Sequence, residues 1–116
     1  MTRAVIRTAS DSVDIKVRGH AGSCKNGADP VCAAASMLVC ALMERLERMR
    51  GELCELHICY SSGVCEISAR GDERSFPSVC EAVEVVACGF ELLANSFPRS
   101  VAVRRVDGES HGEATE

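Results

Sequence analysis

The sequence has no tryptophan, a single tyrosine and only 3% aromatic residues. A platform that stacks nucleobases needs several exposed rings, so that mode of nucleic-acid binding is excluded. Positive charge is also short. Lys and Arg number 13 against 17 Asp and Glu, a formal net charge of −4. This balance, without a basic stripe, argues against direct nucleic-acid binding, where affinity comes largely from neutralised phosphates. No apolar run is long enough to cross a bilayer. The longest, Val31 to Met43, is 13 residues and contains Ser36. The opening MTRAVIRTAS lacks the apolar centre of a secretory signal. What remains is 116 residues, 47% apolar and 26% charged, the composition of one soluble globular domain.

Eight cysteines stand out: Cys24, Cys32, Cys40, Cys54, Cys59, Cys65, Cys80 and Cys88. An even count in a short chain is compatible with a disulfide framework. The missing secretory signal and an ample supply of aliphatic residues favour a reduced, cytoplasmic protein instead. There is no Cys-x-x-Cys knuckle, and the Cys54, His57, Cys59, Cys65 group falls on alternating strand positions. A metal site is therefore not expected. Cys40, Cys65 and Cys80 read as core, while Cys88 falls on a solvent stripe.

Arg3 to Thr8 is a short strand. Ser12 to Arg18 follows with clean alternation, Val13, Ile15 and Val17 against Asp14, Lys16 and Arg18. The two form a hairpin around Ser10-Asp11. Gly19 to Pro30, GHAGSCKNGADP, reads as a long flexible loop with Gly19, Gly22 and Gly27. Asp29 is a good helix N-cap and Pro30 suits the first helical position. The helix runs over Val31 to Arg50, with Gly51 as its stop. Its first half is apolar all round, which predicts burial. Leu53 to Tyr60 and Val64 to Arg70 form a second hairpin across Ser61-Ser62-Gly63. A second helix spans Phe76 to Asn95, with Glu81, Glu84, Cys88 and Glu91 as its wet stripe. A last strand covers Ser100 to Val106. The order β-β-α-β-β-α-β predicts an α/β fold of the α+β type, a two-layer sandwich with two helices on one face of a largely antiparallel sheet. Residues 3–106 make this domain, and 107–116 read as a flexible acidic tail.

Cys32 has a special address. With Asp29 as N-cap it is the third residue of the helix, at the positive end of the dipole, which favours a thiolate. First-turn N–H groups are candidate donors to an oxyanion. His20 lies 12 residues upstream, at the end of a strand and across the glycine-rich loop. The pair makes a workable nucleophile and base. A cysteine in a Val-Cys-Ala-Ala run equally fits a core position, and a histidine among glycines equally fits a loop. Asp29 reads as a cap, and Ser36 lies one turn beyond Cys32 on the same face.

The runs Val17-Arg18-Gly19-His20-Ala21-Gly22 and Gly27-Ala28-Asp29-Pro30-Val31-Cys32-Ala33-Ala34-Ala35-Ser36 resemble the ribosomal-processing cysteine protease family, Prp. Phe90 to Val101 resembles that family's final helix, aromatic-Pro step and last strand. Here Phe97-Pro98 replaces the more usual Tyr-Pro. The resemblance implies a cysteine protease with Cys32 and His20 as the catalytic dyad and the Gly19, Gly22, Gly27 loop as a flap. Asp29 and Ser36 match family positions as supporting residues. It implies removal of a short N-terminal extension from a large-subunit ribosomal protein, by a homodimer that needs no cofactor and contacts neither membrane nor nucleic acid directly. The alternative is a non-enzymatic ribosome-associated binding protein. Cys24, in the loop, reads as a stray thiol rather than a disulfide partner of Cys32.

Overall fold

The computed structural model describes residues 1–19, 29–61 and 63–107. Strand β1 spans Thr2–Thr8 and β2 Ser12–Arg18, closed by a turn in which Ala9 N–H donates to the Ser12 carbonyl at 2.8 Å. Helix α1 is Pro30–Arg48, followed by a 3₁₀ turn at Arg50–Glu52. Strands β3, Glu55–Ser61, and β4, Val64–Arg70, form the second hairpin, with Gly63 at φ +80° in the turn. Helix α2 is Phe76–Ser96, and β5 is Val101–Asp107.

The five strands make one mixed sheet in the order β3-β4-β2-β1-β5. Both hairpins are antiparallel, β2 pairs antiparallel with β4, and β5 pairs parallel with β1. Two connections, β2–α1–β3 and β4–α2–β5, join parallel strands. They start from antiparallel neighbours and run toward opposite edges. With the usual right-handed crossover, both helices then land on the same face. The core lies between that face and the helices. Ile6, Val13, Ile15, Val17, Cys65, Ile67 and Ala69 from the sheet meet Val39, Leu42, Leu46, Val79, Val83 and Phe90. The period-2 pattern of β1, β2 and β4 specifies which side faces inward.

The order and class follow the sequence expectation, while several details differ. Helix α1 ends at Arg48, before the expected Arg50. Met49 is buried, and its N–H turns back to the Leu46 carbonyl at 3.1 Å. Arg50 pairs with Glu47 and donates to the Leu56 carbonyl at 3.3 Å, which fixes the 3₁₀ turn against β3. The first half of α1 is not buried all round. Ala33, Met37, Cys40 and Ala41 are exposed, Met37 by 66%. A helix lying on one face of a sheet, beside a second helix, has only those two sides to bury. Cys40 is thus exposed rather than core, Cys80 is half-buried, and Cys65 is buried as expected. Tyr60 shares the inward face with Leu56 and Ile58, yet β3 is an edge strand and leaves the ring half-exposed. No disulfide joins the described cysteines. Residues 108–116 of the expected tail lie outside the described residues.

Candidate active site

The site is built where β2 ends and α1 begins. A crossover helix runs back along its sheet, so the α1 N-terminus lies at the end where β2 finishes. Gly19 closes β2 with φ +96°, a conformation that favours glycine. Its N–H donates to the Gly63 carbonyl at 2.8 Å. A Cβ added at Gly19 would run into the Met1 carbonyl oxygen. The β3–β4 turn and the start of β1 therefore fix the backbone one residue before His20. Sequence reasoning assigned Gly19 to a flexible loop, whereas the structure makes it an anchored strand end. The signal available was its glycine alone; the packing against Met1 is non-local. His20, Gly22, Gly27 and Cys24 lie outside the described residues.

Asp29 is the N-cap of α1, as expected, with extended backbone at φ −90° and ψ 110°. Its Oδ1 accepts from the N–H of Val31 at 2.9 Å and of Cys32 at 3.4 Å. Its carbonyl accepts the Ala33 N–H at 3.1 Å. Pro30 has no N–H. The first-turn donors expected to stand ready for an oxyanion are thus engaged by Asp29 in this structure. The reason is the carboxylate's reach: a good cap satisfies the same groups that the sequence offers as candidate donors to an oxyanion.

Cys32 is the third helical residue and is 3% exposed. It is buried without belonging to the contiguous apolar cluster that contains Ala35, its neighbour one turn on. Its burial therefore differs from that of Cys65, which sits in the cluster and whose thiol is pushed up by that burial. Ser36 lies one turn along α1 from Cys32 and is half-buried. The structure thus brings Asp29 and Cys32 into contact and keeps Ser36 on the same helix face. Among the described residues, no group of His, Cys, Asp and Glu is arranged to hold a metal ion. No helix among them is long and apolar enough to cross a membrane.

The family model described as cysteine protease Prp matches residues 1–102. No curated protein matches the sequence. Among solved structures, SMU.848 from Streptococcus mutans is similar at 25% identity and a TM-score of 0.70, covering 93% of this chain and 96% of that one. The essential ribosomal processing protease Prp from S. aureus, in complex with a substrate peptide, is similar at 17% identity and a TM-score of 0.66. That match covers 90% of this chain and 99% of the other. The same protease with a covalently linked product peptide gives a TM-score of 0.63 at 17% identity, again covering 90% and 99% of the two chains. The family match spans nearly the whole fold described above, including both ends of the β2–α1 connection, and this chain belongs to the cysteine protease Prp family.

Proposed function

We propose that this protease removes a short N-terminal extension from a large-subunit ribosomal protein, with Cys32 as nucleophile and His20 as base. The observation that carries the reading is the address of Cys32. It is a buried thiol in the first turn of α1, outside the apolar core, at the sheet end where Gly19 hands the chain to His20. The solved relative with a covalently linked product peptide fits covalent chemistry at a thiol of this kind.

The steps follow from the residue types. His20 takes the Cys32 proton, and Sγ attacks the scissile carbonyl carbon. His20 then protonates the leaving amine, and water hydrolyses the thioester, with the proton returned through His20. The N–H groups of Val31 and Cys32 serve the oxyanion once the Asp29 carboxylate swings away from them; such donors are worth about 3 kcal/mol each in well-studied hydrolases. Ser36 and Asp29 are supporting residues, and the segment that leaves the anchored Gly19 and contains Gly22 and Gly27 is the flap beside the site. The reaction needs no cofactor.

The protein works in the cytoplasm, whose reducing poise suits eight cysteines. It works as a homodimer. The outer surface of the helix layer exposes Met37, Val85 and Leu92, each by about two-thirds, and a second copy gives such side chains cover. The test is mass spectrometry of the extended ribosomal protein after incubation with wild type and with Cys32→Ala. Wild type trims the extension and the variant leaves it intact; trimming by a folded Cys32→Ala protein overturns the assignment.

A further inference from the structure

The helices cover one face of the sheet and leave the other open. Alternation assigns the outward positions: Arg3, Val5 and Arg7 on β1, and Asp14, Lys16 and Arg18 on β2. Alanine and charged residues Ala102 and Arg104 join them on β5, with Glu66, Ser68 and Arg70 on β4 and Glu55, His57 and Cys59 on β3. This face carries six Lys and Arg against three carboxylates, the reverse of the whole chain's 13 against 17.

The carboxylates also sit to one side and are engaged. Glu55 pairs with Arg70 at 3.4 Å, Glu66 pairs with Lys16 at 3.4 Å, and Asp14 accepts the Ser68 hydroxyl at 2.5 Å. On the other side, Arg3, Arg18 and Arg104 have no ion-pair partner among the described residues. Arg3 and Arg18 are direct cross-strand partners, and Arg104 and Lys16 flank Val5 in the next row. Like charges placed directly opposite destabilise a sheet. With strands about 4.8 Å apart and alternate residues about 6.7 Å apart, the four cations share a patch on the order of 10 Å across. These four side chains line a single shallow depression.

We propose that this open sheet face docks the phosphate backbone of double-stranded RNA. Arginine's fork suits phosphate oxygens. The face holds no Phe, Tyr or Trp, and its one ring, His57, lies on the edge strand β3 away from the cations, so there is no platform for stacking successive unpaired bases, whereas a duplex is met through its backbone. It also lacks the buried aromatic or aliphatic anchors that centre a protein–protein interface, which disfavours an acidic protein. A second copy finds better cover on the helix layer, where Met37, Val85 and Leu92 are exposed. The net-charge argument against nucleic acid averages over the chain, whereas folding sorts the charges by face. Cys32 is on the helix side, so a docked duplex leaves the α1 start accessible. The proposal stands whether or not Cys32 is the nucleophile.

Fluorescence anisotropy of a labelled RNA duplex with the full chain, from 50 to 200 mM KCl, tests it. At about 0.9 per neutralised phosphate, four cations give a log–log salt slope of roughly −3 to −4. Arg104→Gln should flatten that slope by about one, and Arg3→Glu with Arg18→Glu should weaken binding at least tenfold at 50 mM. The milder Arg3→Gln with Arg18→Gln gives a smaller loss in the same direction should the charge reversal compromise folding. The charge-matched Arg45→Glu with Arg48→Glu, on the helix layer, should leave affinity within about twofold. The proposal is overturned by no binding at 50 mM, by equal losses in the two reversal variants, or by polyglutamate competing as well as duplex RNA. It is equally overturned if the sheet-face variants change oligomeric state by light scattering while RNA affinity holds.

Discussion

Both helices carry a proline in the first turn, Pro30 at the first position of α1 and Pro77 at the second of α2, and a cysteine within their first two turns, Cys32 and Cys80. The caps differ. Asp29 reaches into the first turn of α1 and accepts from Val31 and Cys32. At α2 the N-cap Ser75 makes no side-chain capping bond to the helix. Its hydroxyl instead exchanges hydrogen bonds with Asp72, which also accepts from the N–H groups of Arg74 and Ser75 at 2.9 Å each. The α2 start is thus braced from outside by a turn, and the α1 start from within by a side chain that can leave. The thiols differ accordingly. Cys80 lies further into its helix, half-buried, with its thiol pushed up first by burial and then by Glu81. Two helix starts of similar composition therefore give one cysteine whose backbone N–H is held by the cap and one that only fills space. A cysteine near a helix start is not by itself chemistry; the cap and the strand end opposite it decide.

The largest effect should come from exchanging the two thiols for alanine. Cys32→Ala should lower cleavage by about a thousandfold or more, the scale seen when a nucleophile is removed. Cys80→Ala should leave the rate within about twofold and cost only the packing of a half-buried side chain. Kinetics on one peptide spanning the extension, with circular dichroism on both variants, reads this directly. Comparable losses in the two variants would erase the distinction between the helix starts.

Gly19→Ala comes next. It forces a β-carbon toward the Met1 carbonyl at φ +96°. Strain of this kind costs about 1–3 kcal/mol, and the backbone clash adds to it. Thermal unfolding should show a Tm lower by several degrees, and cleavage should fall further than stability alone explains, because His20 follows directly. Gly63→Ala, at φ +80° but with open space around its Cβ position, should destabilise less and spare the rate at saturating protein stability. A Gly19→Ala protein with wild-type rate and Tm would show that the strand end does not position the site.

Much of this was legible in the residues. The alternation of Val13, Ile15 and Val17 gave both the strand and its inner face, and Asp29-Pro30 gave the helix start, because caps and periodicity are local. What was not legible is non-local. That Asp29 occupies the N–H groups of its own first turn depends on a rotamer. That Gly19 is pinned by Gly63 and Met1 depends on which strands are neighbours, and the strand order does not follow from a linear pattern. The exposed side of α1 was missed for the same reason: an all-round apolar stretch states what could be buried, and the layer count decides what is. The basic face escaped because the four cations of its patch are spread over three strands, one or two to each, and become a patch only in the sheet.

The smallest effect separates the two braces by pH. Asp72 is held below the ordinary aspartate range, chiefly by the Ser75 backbone N–H, then by the Ser75 hydroxyl and the Arg74 N–H. A carboxyl depressed on folding contributes stability that is full above its unfolded value, about 3.9, and is lost as the pH falls through its lower folded value. Urea midpoints should therefore decline from about pH 5 downward, and Asp72→Asn should shrink that decline while changing little at pH 7 beyond the loss of a charge. Asp29→Asn keeps a capping oxygen and should hold stability near wild type, since Asn caps as well as Asp. Its effect should appear in cleavage instead, because a neutral amide leaves the first-turn donors more readily than a carboxylate and changes the field at Cys32. If Asp29→Asn moves only the urea midpoint and Asp72→Asn moves the cleavage rate, the roles assigned to the two helix starts are the wrong way round.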